Sequence, residues 1–196
     1  IRDVAVTGVQ TCALPILPTP LALLWRTTGL HLLFPSLGYP YLPAAAHAHS
    51  GPVGQVMGAA LMIRRDLFAA LHGFDSAYFL YYEDVDLCAQ ALAKGRGSYY
   101  LKGARVRHVG AGSSSQDSGM ALALHIASRA TYARRHFGDL WQAAILSAAL
   151  AIELPARLVR ALFAGRDIGT VLDAYRLLLQ GAASGASIAA LNARAR

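Results

Sequence analysis

The chain has 196 residues, a length that suits one domain of ordinary size or a piece of a larger one. Its hydrophobic content is 55% and its net charge is +7. Residues 118–196 contain nine Lys or Arg against four Asp or Glu, so most of the positive charge lies there. Its arginines are interleaved with Leu, Val and Phe, which disfavours a nucleic-acid surface and favours anionic lipid or phosphate. Two distant cysteines leave no zinc-binding spacing and indicate a reduced, cytoplasmic protein.

The first part of the chain is apolar and interrupted by proline. Residues 1–16 fit poorly with the rest of the sequence and are predicted to be a non-native leader. A short helix is predicted over residues 21–33. Residues 4–63 contain one charged residue, Arg26, but seven prolines break this segment, so a transmembrane helix of about 20 residues is not expected.

Two short helices are predicted in the middle of the chain. Residues 53–64, VGQVMGAALMIR, are predicted as a strand of small residues. The next segment, RRDLFAALHGF, is predicted as a helix that ends at Gly73, and a second helix is predicted over residues 84–94, ending at Gly95. The buried stripe of this second helix is predicted to consist of Val85, Leu87, Cys88, Ala91 and Leu92.

The rest of the chain is predicted to be mainly helical. Short strands are predicted at residues 99–101 and 105–109, followed by a flexible Gly/Ser loop. From residue 119 onward the pattern predicts helices. The apolar helix over residues 140–154 is expected to end or kink at Pro155, and Glu153 favours a core or interfacial helix over a membrane span.

The segment FLYYEDVDLCAQAL contains three carboxylates within four residues, Glu83, Asp84 and Asp86. No Lys or Arg lies between Arg65 and Lys94, so no neighbour in sequence neutralises them. Acidic residues of this kind are common in the first turn of a helix, where they favour the helix dipole. A carboxylate is also a suitable general base, so the segment is a candidate catalytic site.

Three segments occur in a characteristic order: MGAALMIRR, then GFDSAYFLYYEDVDL, then ARVRHVGAGSSS. Together they resemble the C-terminal half of family 2 glycosyltransferases, the inverting enzymes of the GT-A fold, and in particular the bacterial rhamnosyltransferase-like enzymes. The resemblance covers about residues 21–138. It implies an α/β fold in which residues 17–117 form the C-terminal part of a GT-A, Rossmann-like catalytic domain and residues 118–196 form a basic, amphipathic helical tail.

The resemblance implies transfer of a sugar such as rhamnose from a nucleotide-diphosphate sugar to a glycan or lipid-linked acceptor in cell-surface polysaccharide synthesis. By this resemblance Asp84 is the base that deprotonates the acceptor hydroxyl, with Glu83 beside it. Like charges close together raise one another's pKa. The residues expected to contact substrate are Gly58, Ala59, Tyr82 and Asp86.

The resemblance further implies a Mg²⁺ or Mn²⁺ ion. His108 matches a histidine that faces the donor diphosphate in the family and helps to bind the metal. The main metal ligands, an Asp-x-Asp motif, are expected in a nucleotide-binding half upstream of Gly58. The chain is therefore predicted to be a truncated C-terminal fragment that is inactive by itself.

The basic tail is expected to hold the enzyme peripherally at the inner face of the cytoplasmic membrane. One alternative is a non-catalytic, basic amphipathic module that binds a membrane or a partner, in which Asp84 is exposed and far from His108. A second alternative is a metal-dependent hydrolase. Its ligands would be Glu83, Asp84, Asp86 and His108.

Overall fold

A computed structural model describes residues 17–30, 48–104, 118–165 and 167–183. These residues group into two compact units. The first, the mixed unit, contains residues 17–18, 48–75 and 83–104, and the second, the helical unit, contains residues 19–30, 76–82, 118–165 and 167–183. The described elements are mostly helical with one two-stranded sheet. The expected GT-A fold and the domain boundary at residue 117 stay predictions.

The mixed unit contains one small sheet and two helices. Strand β1, Gly51–Val53, pairs antiparallel with β2, Ser98–Tyr100, so that Pro52 lies opposite Tyr99. Helix α2 spans Arg65–Ala70, and helix α3 spans Glu83–Ala93. Both helices agree with the sequence-based prediction.

Each of these two helices ends before a glycine in the left-handed region. Gly73 has φ of 74° after α2, and Gly95 has φ of 74° after α3. The Gly73 N–H donates to the Phe68 carbonyl at 2.9 Å. Glycine adopts this conformation without a Cβ penalty, which explains why the two glycines could be recognised as helix ends from sequence.

The predicted strand over residues 53–64 is wrong. β1 ends at Val53, and a 3₁₀ helix occupies Gly58–Ala60. Small residues such as Gly58 and Ala59 have little strand preference of their own, since that preference comes largely from side-chain packing on a sheet face. The short-range pattern was therefore not sufficient to exclude a turn of 3₁₀ helix.

The core of the mixed unit is formed by the apolar side of α3. Val85, Leu87, Cys88 and Ala91 are buried, as the helical periodicity predicted. Leu92 is 51% exposed, so its assignment to the buried stripe is wrong. Cys88 is a free, buried cysteine, and burial raises the pKa of its thiol.

The helical unit begins with α1, Pro20–Thr27, whose start is capped by the Thr19 hydroxyl accepting from the Ala22 N–H at 3.2 Å. The remaining helices are α4, Ser118–Phe137, α5, Asp139–Ala148, α6, Leu154–Phe163, and α7, Ile168–Ala183. The helical character predicted for this part of the chain is confirmed. The bounds of α1 are shorter than the predicted 21–33.

The joint between α5 and α6 is a π-helical segment, Ala149–Glu153. Pro155 lies in the first turn of α6. Proline has no N–H and its ring clashes with the carbonyl four residues earlier, so the helix must widen or bend just before it. The disturbance expected at Pro155 is confirmed as a wider turn rather than a break.

The core of the helical unit is rich in small side chains. Alanines 123, 127, 149 and 174 are buried together with Leu124, Ile126, Tyr175 and Leu178. Alanine lets helix backbones approach closely, and α4 packs against α7. Within the described ranges, no helix is both long and apolar enough to cross a membrane.

Candidate active site

Asp84 lies in the first turn of α3, and two backbone N–H groups hold its carboxylate. The Gly58 N–H donates to Asp84 Oδ2 at 2.7 Å, and the Val85 N–H donates to Oδ1 at 2.8 Å. Because each oxygen has its own donor, rotation of the carboxylate is restricted. Each oxygen keeps a further lone pair, so the group can still accept a proton.

Gly58 is the residue that brings the 3₁₀ helix against Asp84. A Cβ at position 58 would lie 3.3 Å from Asp84 Cβ and 3.6 Å from Oδ2. A larger residue would therefore press on the carboxylate, which gives a structural reason for glycine here. The expected approach of a sugar to Gly58 stays a prediction, as it does for the exposed Ala59 that comes next in the chain.

The pKa values of the two carboxylates at the start of α3 are both raised above those of exposed side chains. Burial raises the pKa of Asp84, although the N–H groups of Gly58 and Val85 act in the opposite direction. Burial also raises the pKa of Glu83, with a further contribution from the charge on Asp84. A carboxylate with a raised pKa is a stronger base, which suits proton abstraction from a hydroxyl.

Glu83 and Asp86 differ in how they are satisfied. Glu83 Oε2 is buried and has no hydrogen-bond partner in the described part of the chain. Asp86 is only 1% exposed and accepts from Gln90 Nε2 at 2.6 Å. Asp86 is therefore buried, and its predicted contact with substrate stays untested.

Tyr82 belongs to an aromatic cluster in the helical unit. Its ring centroid lies 5.5 Å from that of Tyr132 and 5.8 Å from that of His125, and the residue is 7% exposed. Tyr81 and Tyr82 both have positive φ, 67° and 69°, which is rare for residues with large side chains. This strained pair leads directly into the acidic segment, and strain of this kind is often found next to functional sites.

His108, the predicted metal ligand, lies outside the described residues. Within residues 17–30, 48–104, 118–165 and 167–183, no three His, Cys, Asp or Glu side chains are grouped to hold a metal ion. The three carboxylates of α3 thus do not by themselves form such a site. Their arrangement suits acid–base chemistry by a single oriented carboxylate.

Two contacts of the site were not anticipated. The pairing of Gln90 with Asp86 could have been predicted from the sequence, because residues four apart lie on the same helix face. The contact between Gly58 and Asp84 joins residues 26 apart in sequence and had no local signal. Only the tertiary structure brings these two predicted residues together.

Comparison with known proteins supports a relationship to glycosyltransferases. No family model and no solved structure matches the chain. Curated proteins from two strains of Mycobacterium tuberculosis, CDC 1551 and H37Rv, are each 41% identical to it over 90 residues. Both are named N-acetylglucosaminyl-diphospho-decaprenol L-rhamnosyltransferase. The match covers 44% of this chain and 29% of each relative's length.

Proposed function

We propose that this chain is the acceptor-side part of an inverting glycosyltransferase of family 2 with a GT-A fold. The reaction is transfer of a sugar such as rhamnose from a nucleotide-diphosphate sugar to a lipid-linked acceptor during cell-wall polysaccharide synthesis. The 41% identity over 90 residues to the mycobacterial rhamnosyltransferases supports this class of reaction. The orientation of Asp84 by Gly58 is the observation that carries the mechanism.

In this mechanism Asp84 is the general base. The acceptor hydroxyl oxygen attacks the anomeric carbon of the donor sugar, and the bond from that carbon to the nucleoside diphosphate breaks. The proton of the hydroxyl passes to Asp84, whose raised pKa favours accepting it. Glu83 contributes a second negative charge beside the base. A Mg²⁺ or Mn²⁺ ion would neutralise the leaving diphosphate, and its ligands are proposed to be His108 and residues upstream of Gly58.

The test is Asp84→Asn in the product of the complete gene. Asparagine keeps the shape of the side chain but cannot take the proton. We expect the turnover number for transfer of labelled rhamnose to a polyprenyl-diphosphate-linked N-acetylglucosamine to fall by at least about a hundredfold. Binding of the donor should be nearly unchanged. The acid limb of the pH–rate profile in the unsubstituted enzyme should lie above the usual aspartate pKa of 3.8.

The matched control for this substitution is Asp66→Asn. Asp66 is an exposed carboxylate of the same unit that pairs with Arg64. The control should transfer sugar at the unsubstituted rate. Normal turnover in Asp84→Asn would reject Asp84 as the base, and equal losses in both variants would indicate a general effect of removing acidic charge.

A non-enzymatic alternative has its own observation. On α6, Val159, Leu162 and Phe163 are 51%, 64% and 90% exposed, and basic residues share this helix. Such a helix suits peripheral contact with the inner face of the cytoplasmic membrane. A complete gene product that binds anionic vesicles but transfers no sugar would favour a membrane-binding module over the enzyme.

A further inference from the structure

The helical unit contains a cavity of about 730 Å³ that is distinct from the carboxylates of α3. The end of α1, helix α6 with the joint before it, and the start of α7 line it. The described lining includes three guanidinium groups, those of Arg26, Arg157 and Arg160. A volume of this order is typical of small-molecule sites, which take between about 300 and 1,000 Å³. We refer to it as the arginine cavity.

The two carboxylates that line the arginine cavity are already satisfied. Glu153 Oε1 accepts from Arg157 Nε at 2.9 Å and from Nη2 at 2.7 Å, and its other oxygen accepts from Arg129. Asp167 accepts from the Gly169 and Thr170 N–H groups at 2.9 and 3.0 Å at the start of α7. Glu153 is therefore paired with two arginines, whereas Asp167 accepts only from neutral donors and keeps its negative charge at the cavity.

The positive charge of the arginines around the cavity exceeds the negative charge of Glu153 and Asp167. Arg129 is 4% exposed, and its Nε has no hydrogen-bond partner within the described ranges. Arg160 is exposed and makes no ion pair with any described residue. Burial, together with the charges of Arg129, Arg26 and Arg157, lowers the pKa of His125 to about 3. The helical unit thus concentrates cationic groups in one place.

We propose that the arginine cavity binds a diphosphate group, with Arg26, Arg157 and Arg160 as its cationic contacts. Guanidinium groups form charge-assisted, bidentate hydrogen bonds with phosphate oxygens. The cavity has room for more than one phosphoryl group, and several arginines around one space match the several oxygens of a diphosphate. This inference rests on the proposed function, in which both donor and lipid-linked acceptor contain a diphosphate.

The neighbouring surface of α6 indicates which diphosphate source fits better. Phe163 follows Arg160 by three residues, so the two lie side by side on the helix. Phe163 is 90% exposed, and Val159, one turn before it, is 51% exposed. A polyprenyl chain attached to the diphosphate would cover these apolar side chains, whereas a nucleoside would not need them.

The experiment is calorimetric titration of the full chain at low salt with inorganic diphosphate, a nucleoside diphosphate and farnesyl diphosphate. All three should bind, with farnesyl diphosphate the tightest. Arg160→Gln should weaken each about tenfold, which corresponds to loss of one charge-assisted hydrogen bond. Phe163→Ser should weaken only farnesyl diphosphate. Tighter binding of the nucleoside diphosphate would assign the cavity to the donor instead.

The matched control is Arg134→Gln. Arg134 is an exposed arginine of α4 that does not line the cavity, and the variant should bind all three ligands within about twofold of the unsubstituted chain. Because Arg160 is exposed, its substitution should not unfold the protein, and Arg26→Gln provides a second variant. Equal affinities in the unsubstituted, Arg160→Gln and Arg26→Gln chains, or no binding of any diphosphate, would overturn the proposal.

Failure of this proposal and failure of the proposed function give different results. Diphosphate binding is measured without transfer, and Asp84 is not part of the cavity lining. If Asp84→Asn abolishes sugar transfer but Arg160→Gln leaves diphosphate binding unchanged, only the cavity assignment is rejected. Binding that depends on Arg160 together with unaffected transfer in Asp84→Asn would reject only the base assignment.

Discussion

The carboxylates at the start of α3 and the carboxylate of Glu153 are both withdrawn from water, but different groups stabilise them. Asp84 accepts two backbone N–H groups and forms no ion pair in the described part of the chain. Glu153, 8% exposed, accepts from the guanidinium groups of Arg129 and Arg157. Among the described residues, Asp84 is therefore held without a counter-charge, whereas Glu153 is buried between two cations.

This difference separates a group available for chemistry from a group that holds helices together. An acid buried without a cation has a raised pKa and costs folding free energy, which is common at functional sites. An acid between two arginines is hydrogen-bonded on both oxygens, and here it links α4, the π-helical segment and α6. Substitutions in the two places should consequently have different effects on stability.

The largest expected effect is that of Glu153→Gln. This change leaves Arg129, which is 4% exposed, without its charged partner. Breaking a buried ion pair from one side costs about 3–5 kcal/mol, so the free energy of unfolding should fall by that order. Urea denaturation of the full chain measures it.

The control for Glu153→Gln is Asp173→Asn, which changes the same charge at an exposed position of α7. It should change the free energy of unfolding by less than about 0.5 kcal/mol. A loss below about 1 kcal/mol in Glu153→Gln would show that the buried pair does not hold the helices together.

A smaller effect is expected for Gly58→Ala. The new Cβ would meet Asp84 Cβ at 3.3 Å, so the carboxylate or the 3₁₀ helix must shift slightly. We expect a loss of about 1 kcal/mol in stability and, in the transfer assay of the proposed enzyme, a lower turnover number. Thermal unfolding and the transfer assay check the two parts.

Gly97→Ala is the matched control, because a Cβ at position 97 would meet nothing within 4 Å and its φ is not positive. It should be neutral or slightly stabilising. If Gly58→Ala behaves like Gly97→Ala in both assays, the close approach to Asp84 has no consequence.

The smallest effect is expected for Glu83→Gln, and it depends on pH. Because burial raises the pKa of folded Glu83 above 4.5, the folded chain holds this proton more tightly than the unfolded chain. The group's contribution to stability is therefore lost as the pH rises through the folded pKa. Glutamine removes the charge, so the free energy of unfolding at pH 7 should rise, by less than about 1 kcal/mol since the side chain is only partly buried.

The comparison for Glu83→Gln is Asp66→Asn, where the sign is opposite. The hydrogen bond from Arg64 lowers the pKa of Asp66, so its contribution is present at neutral pH and is lost on acidification. Denaturation series at pH 4 and pH 7 distinguish the two cases. A decrease in stability at pH 7 for Glu83→Gln would contradict the raised pKa.

The sequence predicted the helices well because their signals are local. Apolar spacing and the acidic start defined α3, and Gly95 marked its end. Leu92 was wrongly assigned to the buried stripe. Periodicity defines the apolar side of a helix, but it does not show how far neighbouring elements cover that side. The prediction of a strand around Gly58 was wrong because the small residues there carry almost no packing preference that would distinguish a strand from a 3₁₀ helix.

By itself the sequence determined the two helices in the middle of the chain and the helical character of its later part, and its resemblance to family 2 glycosyltransferases indicated Asp84 as the candidate base. Only the tertiary structure decided that Gly58 orients Asp84 and that Arg129 and Arg157 neutralise Glu153. Helix signals lie within one or two turns of chain, whereas these contacts join residues up to 26 apart. The balance of burial and counter-charge that sets each acid's chemistry arises only when such segments pack together.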